Sequence, residues 1–144
     1  MIVYLDTSSL VKLYVEEIGS PEVRAWIDQA TAVATSRIAY AEARAAFARK
    51  AREASLQNET HAHIIADFER DWENYFIIEI SEGIVRLAGA LAERHGLRGF
   101  DALHLASALS LRGKTKLPVA FSCFDKALSQ AAEVEGLLVE WPNT

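Results

Sequence analysis

Four acidic residues stand where a chain rarely leaves a carboxylate idle. Asp6 directly follows the apolar run Ile2-Val3-Tyr4-Leu5, and Asp125 follows Val119 to Cys123 by a residue or two. Ligands of open parallel sheets bind beyond the carboxyl ends of the strands. If both runs are parallel neighbours, Asp6 and Asp125 therefore share one sheet edge. Helix capping also explains either acid alone, because Asp is a favoured N-cap. Glu42 lies in the Ala-rich stretch from Arg37 to Glu53, with Ile38, Ala45 and Ala46 at three- and four-residue spacing. An unpaired carboxylate on such a face is expensive to bury. Arg49 or Lys50 could serve as its salt-bridge partner, but each lies about two turns along the helix, and an Arg from elsewhere in the fold is another candidate. Asp101 heads a helix whose same face continues through Leu105 and Ala108, so its start points into the protein or a cleft.

Four acids without matching bases suggest a hard divalent cation. Mg²⁺ takes oxygen ligands, keeps several waters, and is commonly held by a few carboxylates plus substrate phosphates. No Cys/His cluster with zinc spacing accompanies them. His61 and His63, two residues apart, face different sides of a helix and read as surface residues. His104 reads as a core histidine near the acids, without a catalytic role.

Alternating strands and helices must position these groups. Strands are expected at Ile2 to Leu5, Ala32 to Thr35, Phe76 to Ile80, Val119 to Cys123 and Leu137 to Trp141. Between them fall helices after Asp6, from Ser20 as N-cap with Pro21 behind it, over Arg37 to Glu53, over Leu56 to Tyr75, after Ser81 to Gly96, over Asp101 to Leu111 closed by Gly113, and over Lys126 to Glu135. That order argues for an α/β protein with a mainly parallel sheet covered on both faces. The chain has 144 residues, 51% hydrophobic and 24% charged, which suits one domain over residues 1–144 and excludes a disordered chain. No apolar run approaches the roughly 20 residues of a membrane span. The start lacks a basic lead and meets Asp6 too early for a signal peptide. A lone cysteine, Cys123, forms no internal disulfide, and a reducing cytoplasm is the expected compartment. Fifteen basic against twenty acidic residues give a net charge of −5, so charge alone does not announce a nucleic-acid binder.

At this point the residues resemble a family. Ile2-Val3-Tyr4-Leu5-Asp6-Thr7-Ser8-Ser9-Leu10-Val11-Lys12 is similar to the opening of VapC-type PIN domains, and Ala41-Glu42-Ala43 to their second acidic motif. Phe100-Asp101-Ala102-Leu103-His104-Leu105-Ala106-Ser107-Ala108 resembles the third, and Phe121-Ser122-Cys123-Phe124-Asp125-Lys126 the fourth. The resemblance implies a three-layer α/β/α sandwich with a central, mainly parallel five-stranded sheet. It implies an endoribonuclease using Mg²⁺, with Mn²⁺ as a substitute, and Asp6, Glu42, Asp101 and Asp125 as metal ligands and catalytic groups. Thr7 and Ser8 are candidates for orienting the carboxylates or water; helix capping explains them equally well. The family often has Thr or Ser where Cys123 stands, which makes Ser122 a candidate for the displaced hydroxyl.

The resemblance also implies an RNA substrate, a homodimer and a cognate VapB-like antitoxin whose tail can bring an Arg to the acids. Arg44, Arg49, Lys50 and Arg52, with Arg94 and Arg98, either guide RNA or form solvated faces. The stripe Ile64, Ile65, Phe68, Trp72 and Tyr75 is either core or a partner surface. Two rivals remain: a non-catalytic PIN-like module binding RNA or protein, and a haloacid-dehalogenase-like phosphatase. The phosphatase pattern requires a second Asp where Ser8 stands. A receiver domain lacks its acidic pair here.

Overall fold

The computed structural model describes residues 1–140. Its elements are β1 (Ile2–Leu5), α1 (Thr7–Lys12), α2 (Ser20–Gln29), β2 (Ala32–Ser36), α3 (Ala39–Glu53), α4 (Asn58–Trp72), β3 (Phe76–Ile78), α5 (Glu82–His95), α6 (Gly99–Thr115), β4 (Val119–Ser122) and α7 (Lys126–Val134). The four strands are parallel and lie in the order β3-β2-β1-β4.

Strand alternation builds the layers. Successive residues of a strand point to opposite faces, and all of β1 is buried. Ile2 and Tyr4 join Ala34, Ile78 and the inner faces of α5, α6 and α7 in one core cluster. Val3 and Leu5 join Leu10, Val23, Ala43, Phe47 and Phe68 in the other, which gathers α1 to α4. Two cores back to back on one sheet make the expected α/β/α sandwich.

The expected fifth strand is a correction. Leu138 forms only an isolated bridge with Ala120, through Phe121 N–H to the Leu138 carbonyl at 2.7 Å and Leu138 N–H to the Val119 carbonyl at 3.2 Å. Leu137 is buried while Leu138 is exposed, so little apolar surface holds this segment against the edge. Trp141, in the same expected strand, lies outside the described residues. Smaller differences have local causes. Ser20 is the first residue of α2 rather than its cap, and its hydroxyl ties the preceding loop by accepting from Glu17 N–H and donating to the Val15 carbonyl. Helix α6 continues through Gly113 to Thr115, whose hydroxyl donates to the Leu111 carbonyl at 2.8 Å; Lys116 then adopts the left-handed conformation that ends it.

The stripe from Ile64 to Tyr75 packs inward around Phe68, with its other members half-buried. Phe68 is fully buried and contacts the rings of Tyr14, Tyr40, Phe47 and Trp72, while Ile64, Ile65 and Tyr75 pack against the same cluster.

Candidate active site

The chain leaves β1 for β2 on one side, and returns from β3 to β4 on the other. The carboxyl ends of β1 and β4 therefore flank the topological switch point, where open α/β sheets bind ligands. Leu5 pairs with Ser122, and Asp6 N–H continues the ladder to the Ser122 carbonyl at 3.1 Å. Asp6, Thr7, Ser8, Glu42, Arg98, Asp101, His104, Phe124 and Asp125 line one open cleft there, of about 270 Å³. All four expected acids thus face one space.

Each acid is placed by a helix start. Asp6 caps α1, its Oδ1 accepting from Ser9 N–H at 3.0 Å and from the Ser8 hydroxyl at 2.7 Å. Asp125 caps α7 by accepting from Leu128 N–H at 2.9 Å. Glu42 and Asp101 occupy the first turns of α3 and α6, where the helix dipole favours negative charge. Capping and lining the cleft are compatible roles, because each cap uses one oxygen of its carboxylate.

Glu42 is held by two groups from other elements. The Thr7 hydroxyl donates to its Oε1 at 2.5 Å, and His104 Nε2 lies 3.0 Å from the same oxygen. A carboxylate can only accept, so Nε2 carries the proton; in the neutral ring Nδ1 is then the acceptor of the Tyr4 hydroxyl at 2.8 Å. Tyr4 and His104, both buried, thereby lead to half-buried Glu42 in a relay across the sheet edge. Sequence reasoning left His104 without a role and did not single out Tyr4. Its available signal was spacing, since His104 falls three residues after Asp101 on one helix face. The expected partners of Glu42 are engaged elsewhere: Arg49 with Glu53, and Lys50 with Glu17.

Burial and hydrogen bonding pull the acids apart electrostatically. Burial pushes the Asp6 carboxyl above the ordinary carboxylate value, against the lowering effects of His104 and of the Ser9 and Ser8 hydrogen bonds; the Asp101 charge adds a smaller upward push. Burial would also raise Glu42, but hydrogen bonds from His104 and Thr7 outweigh it and hold its carboxyl below the usual range. Arg98 reaches over the cleft mouth, 3.2 Å from Asp101 and 3.9 Å from Asp125. Among the other expected cations, Arg44 pairs with Glu69 and Arg94 with Glu135, as solvated ion pairs would. Ser122 does not line the cleft. Its hydroxyl meets that of Ser9 at 2.8 Å and ties β4 to α1 beneath Asp6. Burial and the Asp6 charge push the Cys123 thiol up to about 12, which leaves it unreactive at neutral pH.

The donor set suits a hard cation in its chemistry. Its groups are carboxylate and hydroxyl oxygens, and buried Asp6 carries a charge that burial disfavours. Among the described residues, no three His, Cys, Asp or Glu side chains stand close enough to enclose an ion. Such a site fits a cation that keeps much of its water, as Mg²⁺ does.

Comparison with known proteins identifies the family. The PIN domain family matches residues 3–134. The chain is 41% identical over 142 residues to Ribonuclease VapC45 of Mycobacterium tuberculosis, covering 96% of this chain and 94% of that protein. Among solved structures, VapBC2 from Rickettsia felis bound to a DNA fragment from their promoter superposes with a TM-score of 0.66 at 17% identity, over 99% of this chain and 100% of that one. VapC20 of Mycobacterium tuberculosis, a sarcin-ricin loop cleaving toxin, gives 0.64 at 16% identity, over 97% and 99%. At these identities the structures attest the fold alone, whereas the family match and the ribonuclease relative decide kinship. The phosphatase and receiver readings fall away, and the chain belongs to the PIN domain family and, within it, to the VapC group.

Proposed function

We propose that this chain is a Mg²⁺-dependent endoribonuclease and the toxin of a VapBC-type pair, acting in the cytoplasm as a single unit over residues 1–144. The observation that carries the reading is the convergence of Asp6, Glu42, Asp101 and Asp125 on one cleft at the switch point of a PIN-family sheet. These four carboxylates would hold the ion, with Mn²⁺ as a substitute. A divalent cation supplies charge that activates water and offsets charge developing on the phosphate.

The chain's own residues prepare that site. Ser8 and Ser9 fix Asp6 through Oδ1, so its second oxygen is available to the cleft. Thr7 and the Tyr4–His104 pair fix Glu42 in the same way. Arg98 is 82% exposed and hydrogen bonds to Asp101, so it can exchange that carboxylate for a phosphate oxygen of RNA. The net charge of −5 is then no obstacle, because attraction is local to the cleft mouth. Cleavage of RNA that stops in EDTA and returns with Mg²⁺ tests the activity; cleavage that ignores EDTA contradicts it.

A homodimer and a cognate VapB-like antitoxin complete the proposal. Of the stripe from Ile64 to Tyr75, Phe68 is committed to the core, while Ile64, Ile65, Trp72 and Tyr75 are only partly buried. No helix among the described residues is long and apolar enough to cross a membrane. Coexpression with the neighbouring small reading frame is expected to yield a complex with reduced nuclease activity. A complex as active as the free protein would reject the inhibitor.

A further inference from the structure

Resting on the ribonuclease reading, we propose that Phe124 is a base-stacking platform that directs the cleft to unpaired RNA. Of the large apolar side chains exposed among the described residues, it is Phe124 alone that lines the acidic cleft. It is 47% exposed, immediately precedes Asp125, and stands at the lip where a nucleotide beside the scissile phosphate would lie.

The ring is held in place. Lys12 Nζ sits 4.3 Å from its centroid, a cation–π distance. Gly19 comes so close that a Cβ there would fall 2.5 Å from Phe124 Cε1 and 2.8 Å from Cζ. A ring confined by a glycine and a lysine stem while half open to water loses little freedom when a base covers it. Cations also stand beside the ring, opposite in charge to the carboxylates of the cleft. Lys12, over the ring, shares Glu17 with Lys50, at 3.1 and 2.7 Å, so one carboxylate answers two ammonium groups. Arg98 lines the same cleft. Stacking on an exposed ring combined with nearby cations is how proteins bind single strands with little sequence preference, whereas bases in a duplex already stack on each other.

The test is binding of a labelled single-stranded oligoribonucleotide, and of the same strand annealed to its complement, by full-length protein in EDTA. Phe124→Ala and Phe124→Leu are expected to weaken single-strand binding about 5- to 150-fold, the range carried by base–aromatic stacking. Phe124→Tyr, which keeps the aromatic face, is expected to bind within about twofold of wild type by the same argument. Duplex binding is expected to be weak and equal in all four proteins. Phe124→Leu binding like wild type would overturn the proposal, as would equal losses on single strand and duplex, or no wild-type preference for the single strand. Matching melting curves show that the variants are folded. Binding that depends on Phe124 without metal-dependent cleavage would support the platform and reject the nuclease reading; cleavage with binding indifferent to Phe124 would do the reverse.

Discussion

Asp6 and Glu42 line one cleft, yet their carboxyls shift in opposite directions because their surroundings differ. Asp6 is buried at 4% exposure with its hydrogen bonds on one oxygen, and burial raises it. Desolvation is the largest cause, and the Asp101 charge is a minor contributor. A carboxyl raised in the fold reduces stability as pH climbs through its unfolded value, about 3.9, toward the folded one. Asp6→Asn keeps the acceptor oxygen that caps α1 and removes the charge. In EDTA its melting temperature is therefore expected to exceed that of wild type at pH 7 and to converge with it below about pH 4. A wild type more stable than Asp6→Asn at pH 7 in EDTA would contradict this. Glu42 behaves oppositely: its depressed carboxyl stabilises the fold above the unfolded value, and that stability is lost as pH falls through the folded one. The relay behind Glu42 makes a second prediction. Tyr4→Phe leaves His104 Nδ1 without its donor, costing about 1–3 kcal/mol of stability for an unsatisfied buried group. Cleavage is expected to fall about 10- to 100-fold, as when outer partners of metal-holding groups are removed. Denaturant melts and rates over a Mg²⁺ titration check both, and an unchanged rate would remove Tyr4 from the site.

Short elements do the positioning. Helix α1 has only six residues, too few to be stable alone. It is held by its Asp6 cap, by the Ser9–Ser122 hydroxyl contact and by buried Leu10 and Val11. The turn that follows depends on Gly19, at φ +98° and pressed against Phe124 and Lys12. Gly19→Ala is expected to destabilise the fold by more than about 1 kcal/mol, because an L side chain is strained at that φ and would collide with both neighbours. A chemical melt superimposable on wild type would refute that account. Most elements were legible from strand runs, caps and helix-ending glycines, since these are local signals. The fifth strand was not, because pairing at the sheet edge depends on distant burial that alternation does not record. Gly113 misled for a similar reason: Thr115 and buried Leu111 carry α6 past it. The four acids were legible because each lies just beyond a strand or in the first turns of a helix. His104 and Tyr4 were not, because 100 residues separate them and only the parallel sheet and α6 bring them together.

At the scale of the molecule, strand order explains why one cleft collects groups from four places in the chain. Order β3-β2-β1-β4 carries the first two crossovers to one side of β1 and the third to the other, which opens the switch point between β1 and β4. Asp6 and Asp125 arrive there from those strands, Glu42 and Asp101 from the helices above, and Arg98 and Phe124 complete the rim. On the proposed reading, the four carboxylates would serve a metal-dependent centre for RNA, with Arg98 as the cation at its mouth. The most direct test of that claim is RNA cleavage by wild type and Asp6→Asn side by side in Mg²⁺, with circular dichroism to show that both are folded. The expected result is cleavage by wild type and none by the variant, and equal cleavage by a folded Asp6→Asn would contradict it.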